Sequence, residues 1–261
     1  PLLLRELNLS ELLSYFLLFL CRLKGWDVKH KGCSALMSAL NLNPSHLREL
    51  NLSKNKLGDS GVKTLSDLLK NTQCKLEKLQ LVSFLAMGNY ILCECSITEE
   101  QGLILTSALK SNPSHLRELD LNENKIKDTG LKILCDVLKD SRCKLERLRL
   151  NDCNLTDKSC SALAAVLESD TNLKELNMNN NNLQDSGVKL LCNGLRNITC
   201  ELEILSLRKC GLTEESCSAL ATVLRSNSSL KELDMSNNNL QDSGVKKLEL
   251  EDKNCKLENL R

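Results

Sequence analysis

The sequence predicts an α/β solenoid with a parallel inner sheet and outer helices, and two observations carry that expectation. The pattern L-x-x-L-x-L-x-x-N/C-x-L recurs along 261 residues, and most successive first leucines lie 28 or 29 residues apart. Full copies are LRELNLSKNKL from Leu47, LRELDLNENKI from Leu116, LERLRLNDCNL from Leu145, LKELNMNNNNL from Leu173, LEILSLRKCGL from Leu202 and LKELDMSNNNL from Leu230. Partial copies begin at Leu4, Leu76 and Leu257, giving one domain, 1–261, of about nine repeats with the first and last incomplete.

Each element follows from the pattern. Alternating leucines in LxxLxL put one side of a short strand into a core and leave the intervening residues outside. After the turn, Cys160, Leu163 and Val166 recur at helical spacing, as do Val188, Leu191 and Leu195. Thr98, Thr156 and Thr213 stand where N-caps belong, and Thr98 with Gln101 forms a capping box.

Two repeat types alternate. One carries Asn at the turn (Asn55, Asn124, Asn181, Asn238), and a DSGVK segment follows in three of its copies. The other carries Cys (Cys95, Cys153, Cys210), followed in its clearest copies by LTxxxCSAL. An asparagine amide both donates and accepts, so a column of them can satisfy backbone groups buried between turns. A cysteine does this only weakly but fits tightly.

Composition narrows the function. With 41% hydrophobic and 26% charged residues the chain is expected to be globular, and 35 basic against 34 acidic residues leave a net charge of +1. Neither nucleic acid nor a membrane surface is an expected partner. The fourteen cysteines, Cys93 and Cys95 apart, are read as recurring in register with the repeats, two repeats apart, which exceeds disulfide reach, so they are expected to be reduced and packed. The lone C-x-C at Cys93 and Cys95 lacks further ligands at zinc spacing, and no metal is expected. His46 and His115 sit in two copies of NPSHL, and no G-x-S-x-G, H-E-x-x-H or phosphate loop occurs. No enzyme and no cofactor are expected. Five Asn-x-Ser/Thr sequons, at Asn8, Asn51, Asn154, Asn197 and Asn227, read as chance in an Asn-rich repeat.

Alternating repeats of this length, one with Asn and one with Cys, resemble the ribonuclease-inhibitor class of leucine-rich repeats. The phrases DSGVK, CKLE, LTEESCSAL and SNSSLKELD more specifically resemble the C-terminal repeats of fish NOD-like receptors. The resemblance implies a horseshoe-shaped protein-interaction scaffold, the ligand-sensing or autoinhibitory part of a cytosolic innate-immune receptor. Its partner would be another protein or other domains of the same receptor. No G-x-x-x-x-G-K-[ST] is present, and the chain begins within one repeat and stops at Arg261 inside a strand, as a fragment would. Two alternatives stand beside it: a ribonuclease-inhibitor-like binder, and a self-associating structural repeat domain forming a homodimer.

The outward strand positions define the candidate binding face: Glu118, Asp120, Arg147, Arg149, Glu175, Asn177, Glu232 and Asp234, with Arg208 and Lys209 beside them. Its sign alternates with repeat type, so Glu118, Arg147 and Glu175 are expected to neutralise one another across strands. Ribonuclease inhibitors, as the resemblance implies, hold a basic partner on an acidic, aromatic-rich face. Neither property is seen here.

Every aromatic ring lies in the first ninety residues. The first-leucine spacing is 43 from Leu4 to Leu47 and 40 from Leu76 to Leu116, which predicts insertions near 11–25 and 82–94. On that register Trp26 takes a turn position. Tyr15, Phe16, Phe19, Trp26, Phe84 and Tyr90 would form a rim patch, either docking a partner or packing on their own repeats.

Overall fold

The computed structural model describes residues 20–22, 30–42, 44–83, 97–226, 229–248 and 255–261. Strands and helices alternate. They are β1 (Leu20–Arg22), α1 (His30–Leu42), β2 (Glu49–Asn51), α2 (Gly58–Lys70), β3 (Lys78–Gln80), α3 (Glu99–Ser111), β4 (Glu118–Asp120), α4 (Lys127–Leu138) and β5 (Arg147–Arg149). There follow α5 (Asp157–Leu167), β6 (Glu175–Asn177), α6 (Gln184–Leu195), β7 (Ile204–Ser206), α7 (Glu214–Arg225), β8 (Glu232–Asp234), α8 (Gln241–Leu248) and β9 (Asn259–Leu260). The nine described strands form one parallel sheet in chain order, so this is a leucine-rich-repeat solenoid.

The middle residues of β2 to β8 anchor the core. Leu50, Leu79, Leu119, Leu148, Leu176, Leu205 and Leu233 pair across the sheet in register and are at most 1% exposed. Helix residues such as Val62, Leu131, Leu163, Val188 and Leu220 close on them and are fully buried. Each such side chain stabilises the fold by about 1.5–3 kcal/mol relative to exposure.

The first described strand falls inside a segment that the leucine pattern reads as an insertion. Leu20–Arg22 pairs with Glu49–Asn51, so the strand comes from inside the segment read as an insertion near 11–25. By this register its repeat would start at Leu18, 29 residues before Leu47; Trp26, expected at the turn, lies outside the described residues. Cys21 stands where a leucine is expected, and LLLRELNL from Leu2 mimics the pattern better, which hid this strand. Residues 1–19 lie outside the described residues. So does the second insertion, apart from Val82 and Ser83.

The turn asparagines Asn124, Asn181 and Asn238 tie their repeats to the Cys-type repeat before each. Asn181 donates from Nδ2 to Leu150 O (2.8 Å) and Met178 O (2.8 Å), and its Oδ1 accepts from Cys153 N (3.1 Å) and Leu155 N (3.0 Å). Asn238 repeats this with Leu207 O, Met235 O, Cys210 N and Leu212 N, and Asn124 does so with Leu81 O, Leu121 O and Ile97 N. The turn cysteines reach back with one thiol contact each to the neighbouring repeat, Cys153 Sγ to Leu121 O at 3.2 Å and Cys210 Sγ to Met178 O at 3.3 Å.

The helices show the same asymmetry. A Cβ added to Gly194 on α6 would lie 2.5 Å from Ala164 O on α5, and one on Gly187 would lie 2.8 Å from Cys160 Sγ. Gly244 on α8 likewise abuts Glu214 and Cys217 of α7. A Cys-type helix and the following Asn-type helix therefore touch backbone to backbone, and only glycine permits that approach.

The opposite junction uses aspartate caps. Asp185 Oδ1 and Oδ2 accept from Thr213 N (2.9 Å), Thr213 Oγ1 (2.6 Å) and Ser216 N (3.2 Å), and also from Ser216 Oγ. Asp128 holds Thr156 and Ser159 in the same way. Thr98, Thr156 and Thr213 are the helix caps expected, and Thr98 with Gln101 closes its capping box.

Asn181→Ala leaves two backbone N–H groups and two carbonyls short of a partner in a buried turn. We expect a loss of about 2–4 kcal/mol in denaturant unfolding, well above the average point substitution.

Candidate protein-binding face

The sheet face opposite the helices carries the outward strand residues in rows. One row runs Glu49, Lys78, Glu118, Arg147, Glu175, Ile204 and Glu232 along β2 to β8. Acid comes from Asn-type strands and base from the Cys-type strands β3 and β5, with Ile204 at the same place on β7. The residue just before each strand forms a second row of opposite phase: Arg48, Glu77, Arg117, Glu146, Lys174, Glu203, Lys231 and Glu258. The two rows make a checkerboard.

Neighbours in it pair. Lys78 Nζ lies 2.7 Å from Glu118 Oε2, and Arg147 Nη1 lies 2.5 Å from Glu118 Oε1. Arg147 also reaches Glu175 at 3.7 Å, where Arg149 Nη2 sits 2.8 Å away. In the second row Arg48 pairs with Glu77, Arg117 with Glu146 and Lys231 with Glu203. Burial alone would raise the Glu118 carboxyl, but Lys78 and Arg147 hold it below the usual range. The expected cancellation of Glu118, Arg147 and Glu175 is thus made, each exposed pair contributing about 0–1 kcal/mol.

Some expected face residues have a backbone role. Asp120, only 8% exposed, accepts from Asn122 N at 3.1 Å, and Asn177 and Asp234 accept from Asn179 N and Ser236 N in the same geometry. These are Asx turns that close the strand. Burial pushes the Asp120 carboxyl up, although Asn122 N–H and the Arg149 charge oppose it. Beyond them a side-chain ladder climbs the stack, Asn122 Oδ1 to Asn151 N, Asn151 Oδ1 to Asn179 N and Asn179 Oδ1 to Arg208 N, at 2.7–2.8 Å. An Asx signal, Asn or Asp two residues before the acceptor turn, was present in the sequence at Asn51, Asp120, Asn177 and Asp234.

Arg208 and Lys209 lie in the turn after β7, exposed, with Lys209 at φ 53°, rather than in the strand rows. Tyr15, Phe16, Phe19, Trp26, Phe84 and Tyr90 all lie outside the described residues. The described face therefore bears no aromatic ring.

Ten of the fourteen cysteines, from Cys74 to Cys255, are free thiols, and nine of these are buried. Burial pushes Cys135, Cys153 and Cys160 up to about 12 and Cys192 and Cys210 up to about 11. Such thiols stay protonated and pack as small apolar groups. Among the described residues no cluster of three or more His, Cys, Asp or Glu could hold a metal, and no described helix is long and apolar enough to cross a membrane.

Comparison with known proteins agrees with this geometry. The Leucine Rich repeat family model matches residues 43–66, 112–135, 142–164, 169–192 and 226–248. The chain is 42% identical over 224 residues to mouse ribonuclease inhibitor, covering 86% of this chain and 46% of that protein. It is 40% identical over 234 residues to rat NACHT, LRR and PYD domains-containing protein 3, covering 89% of this chain and 21% of that protein. The chain thus spans about half the length of the first relative and a fifth of the second. Among solved structures, the yeast Rad7 and Elc1 complex matches with a TM-score of 0.51 at 18% identity, over 89% of this chain and 59% of that one, a likeness of fold. The chain is built of leucine-rich repeats homologous to those of ribonuclease inhibitors and of NACHT, LRR and PYD domain-containing proteins.

The capping aspartates give a pH prediction. Burial would raise Asp128 and Asp185, but the Ser159 and Thr156 hydroxyls, and those of Ser216 and Thr213, hold both below the ordinary aspartate value. Depressed carboxyls contribute stability that is present above the unfolded value of about 3.9 and lost as pH falls through the folded one. The Asp128→Asn, Asp185→Asn double variant should lose about 1–3 kcal/mol at pH 7 and show a flatter loss below pH 4 than the parent, read by denaturant unfolding across pH.

Proposed function

We propose that this solenoid is the C-terminal ligand-sensing or autoinhibitory repeat region of a cytosolic innate-immune NOD-like receptor, of the fish type its repeat phrases resemble. It binds a protein partner, or other domains of its own receptor, through the sheet face, and performs no catalysis. The observation that carries this reading is the face itself: its charges cancel pairwise from β3 to β6 and its described rows bear no aromatic ring. A face of that kind is poor in the large anchors that dominate tight standalone binding, and suits regulated contacts within a larger assembly. The 40% identity to a NACHT, LRR and PYD domains-containing protein supports the same direction.

A second reading, ribonuclease inhibition, is favoured by the 42% identity to mouse ribonuclease inhibitor. The face opposes it: Arg147 and Arg149 neutralise Glu118 and Glu175, and Arg208 and Lys209 are exposed beside them, so a basic enzyme meets no net acidic surface there.

The longer reading frame separates the two. An upstream nucleotide-binding P-loop is the expected finding; a frame made of further repeats alone would overturn the receptor reading. Titrating a basic ribonuclease with the purified chain should leave its activity unchanged at stoichiometric protein, and stoichiometric loss would establish the inhibitor instead.

A further inference from the structure

The charge alternation on the sheet face lapses around Glu232, where Ile204 on β7 and Asn259 on β9 stand in place of cations, and we propose that a partner protein fills this gap with a lysine or arginine side chain. This rests on the reading that the sheet face binds protein. On β3 and β5 the row supplies a cation, Lys78 and then Arg147, between the glutamates of the neighbouring strands. The register calls for a third cation on β7, between Glu175 and Glu232, and Ile204 stands there.

The two glutamates are left in different states. Glu175 is already held from β5 by Arg147 and Arg149. Glu232 is exposed and has no ion pair among the described residues. The other outward position of β7 is shortened as well, Ser206 replacing the Gln80 of β3 and the Arg149 of β5. Short side chains between taller rows leave a depression over β7 to β9, lined by Ile204, Ser206, Glu232, Asp234, Asn259 and Arg261.

Its chemistry selects a basic side chain. Ile204 gives an apolar floor against which a lysine or arginine stem can lie, as such stems do on apolar surface. Glu232 at the wall supplies the unpaired carboxylate for the charged head. Asp234 has one oxygen on Ser236 N–H at 2.9 Å, and its other oxygen accepts no hydrogen bond among the described residues. An anion is repelled by both carboxylates, and the isoleucine floor leaves a metal ion short of ligands. Arg261 lines the β9 side, where its charge competes with an incoming cation. The partner therefore supplies in trans the cation that the repeat supplies to itself on β3 and β5.

Amide-resolved NMR titration with N-acetyl-arginine amide and N-acetyl-lysine amide tests this on the whole chain. We expect saturable shifts confined to β7–β9 with a dissociation constant of about 1–10 mM, and none with N-acetyl-glutamate amide. Ile204→Arg, which restores the row's own cation, should abolish the shifts, and Glu232→Gln should weaken binding about threefold or more. Arg261→Ala should tighten it. No shift at β7–β9, shifts spread evenly along β3–β6, or binding indifferent to both Ile204→Arg and Glu232→Gln would overturn the proposal. Glu232→Gln, at an exposed position, decides the matter should Ile204→Arg disturb β7. Because the probes are free amino-acid derivatives, a negative result removes the notch alone, while the reading frame still decides the receptor reading.

Discussion

The structure depends on how the backbone of one turn is satisfied by the next. Stacking repeats at strand spacing buries turn carbonyls and N–H groups that no strand or helix ladder reaches, and leaving them unpaired costs about 1–3 kcal/mol each. The turn residue of each Asn-type repeat answers this from the side chain, Asn181 serving four backbone groups at its own and the preceding turn. A cysteine thiol at the alternate turn reaches back more weakly, to Leu121 O or Met178 O, and cannot replace the amide. The backbone bends to suit: the residue before the turn Asn or Cys is left-handed at Lys54, Glu123, Asp152, Asn180, Lys209 and Asn237.

Alternation of the turn residue carries through to the helices and the surface. Where the amide bridges, glycines let the helices meet closely, as Gly187 and Gly194 do against α5. Where only the thiol reaches back, Asp128 and Asp185 clamp the next helix N-terminus instead. Repeats therefore associate as pairs, Cys-type then Asn-type, with a polar seam between pairs. The checkerboard of charge follows the same two-repeat period, so a surface built from it neutralises itself wherever the period is kept. Function is then expected where it is broken, and Ile204 and Asn259, on either side of Glu232, mark such a place on the described sheet face.

Most of this architecture was legible in the sequence because both periods are short and strict. The leucine spacing fixed β2 to β9 and their register, the turn Asn and Cys marked the ladder, and threonines at Thr98, Thr156 and Thr213 marked helix starts. The first described strand was not legible, since Cys21 replaces its central leucine and the stretch near Leu4 competes by pattern. The Asx turns at Asp120, Asn177 and Asp234 were missed because an outward carboxylate or amide on a strand looks the same whether it awaits a ligand or caps its own backbone. The leucine register already put Ile204 at an outward position of β7; what it did not show is that Glu232 beside it has no ion pair among the described residues.

The central claim is that turn asparagine side chains, rather than solvent, satisfy the amides of the preceding turn. Native-state hydrogen exchange reads it directly at Cys153, Leu155, Cys210 and Leu212, whose N–H groups donate to Asn181 or Asn238. These four amides should be protected as strongly as strand amides such as Leu148 and Leu176. Exchange as fast as in exposed turns would contradict the account.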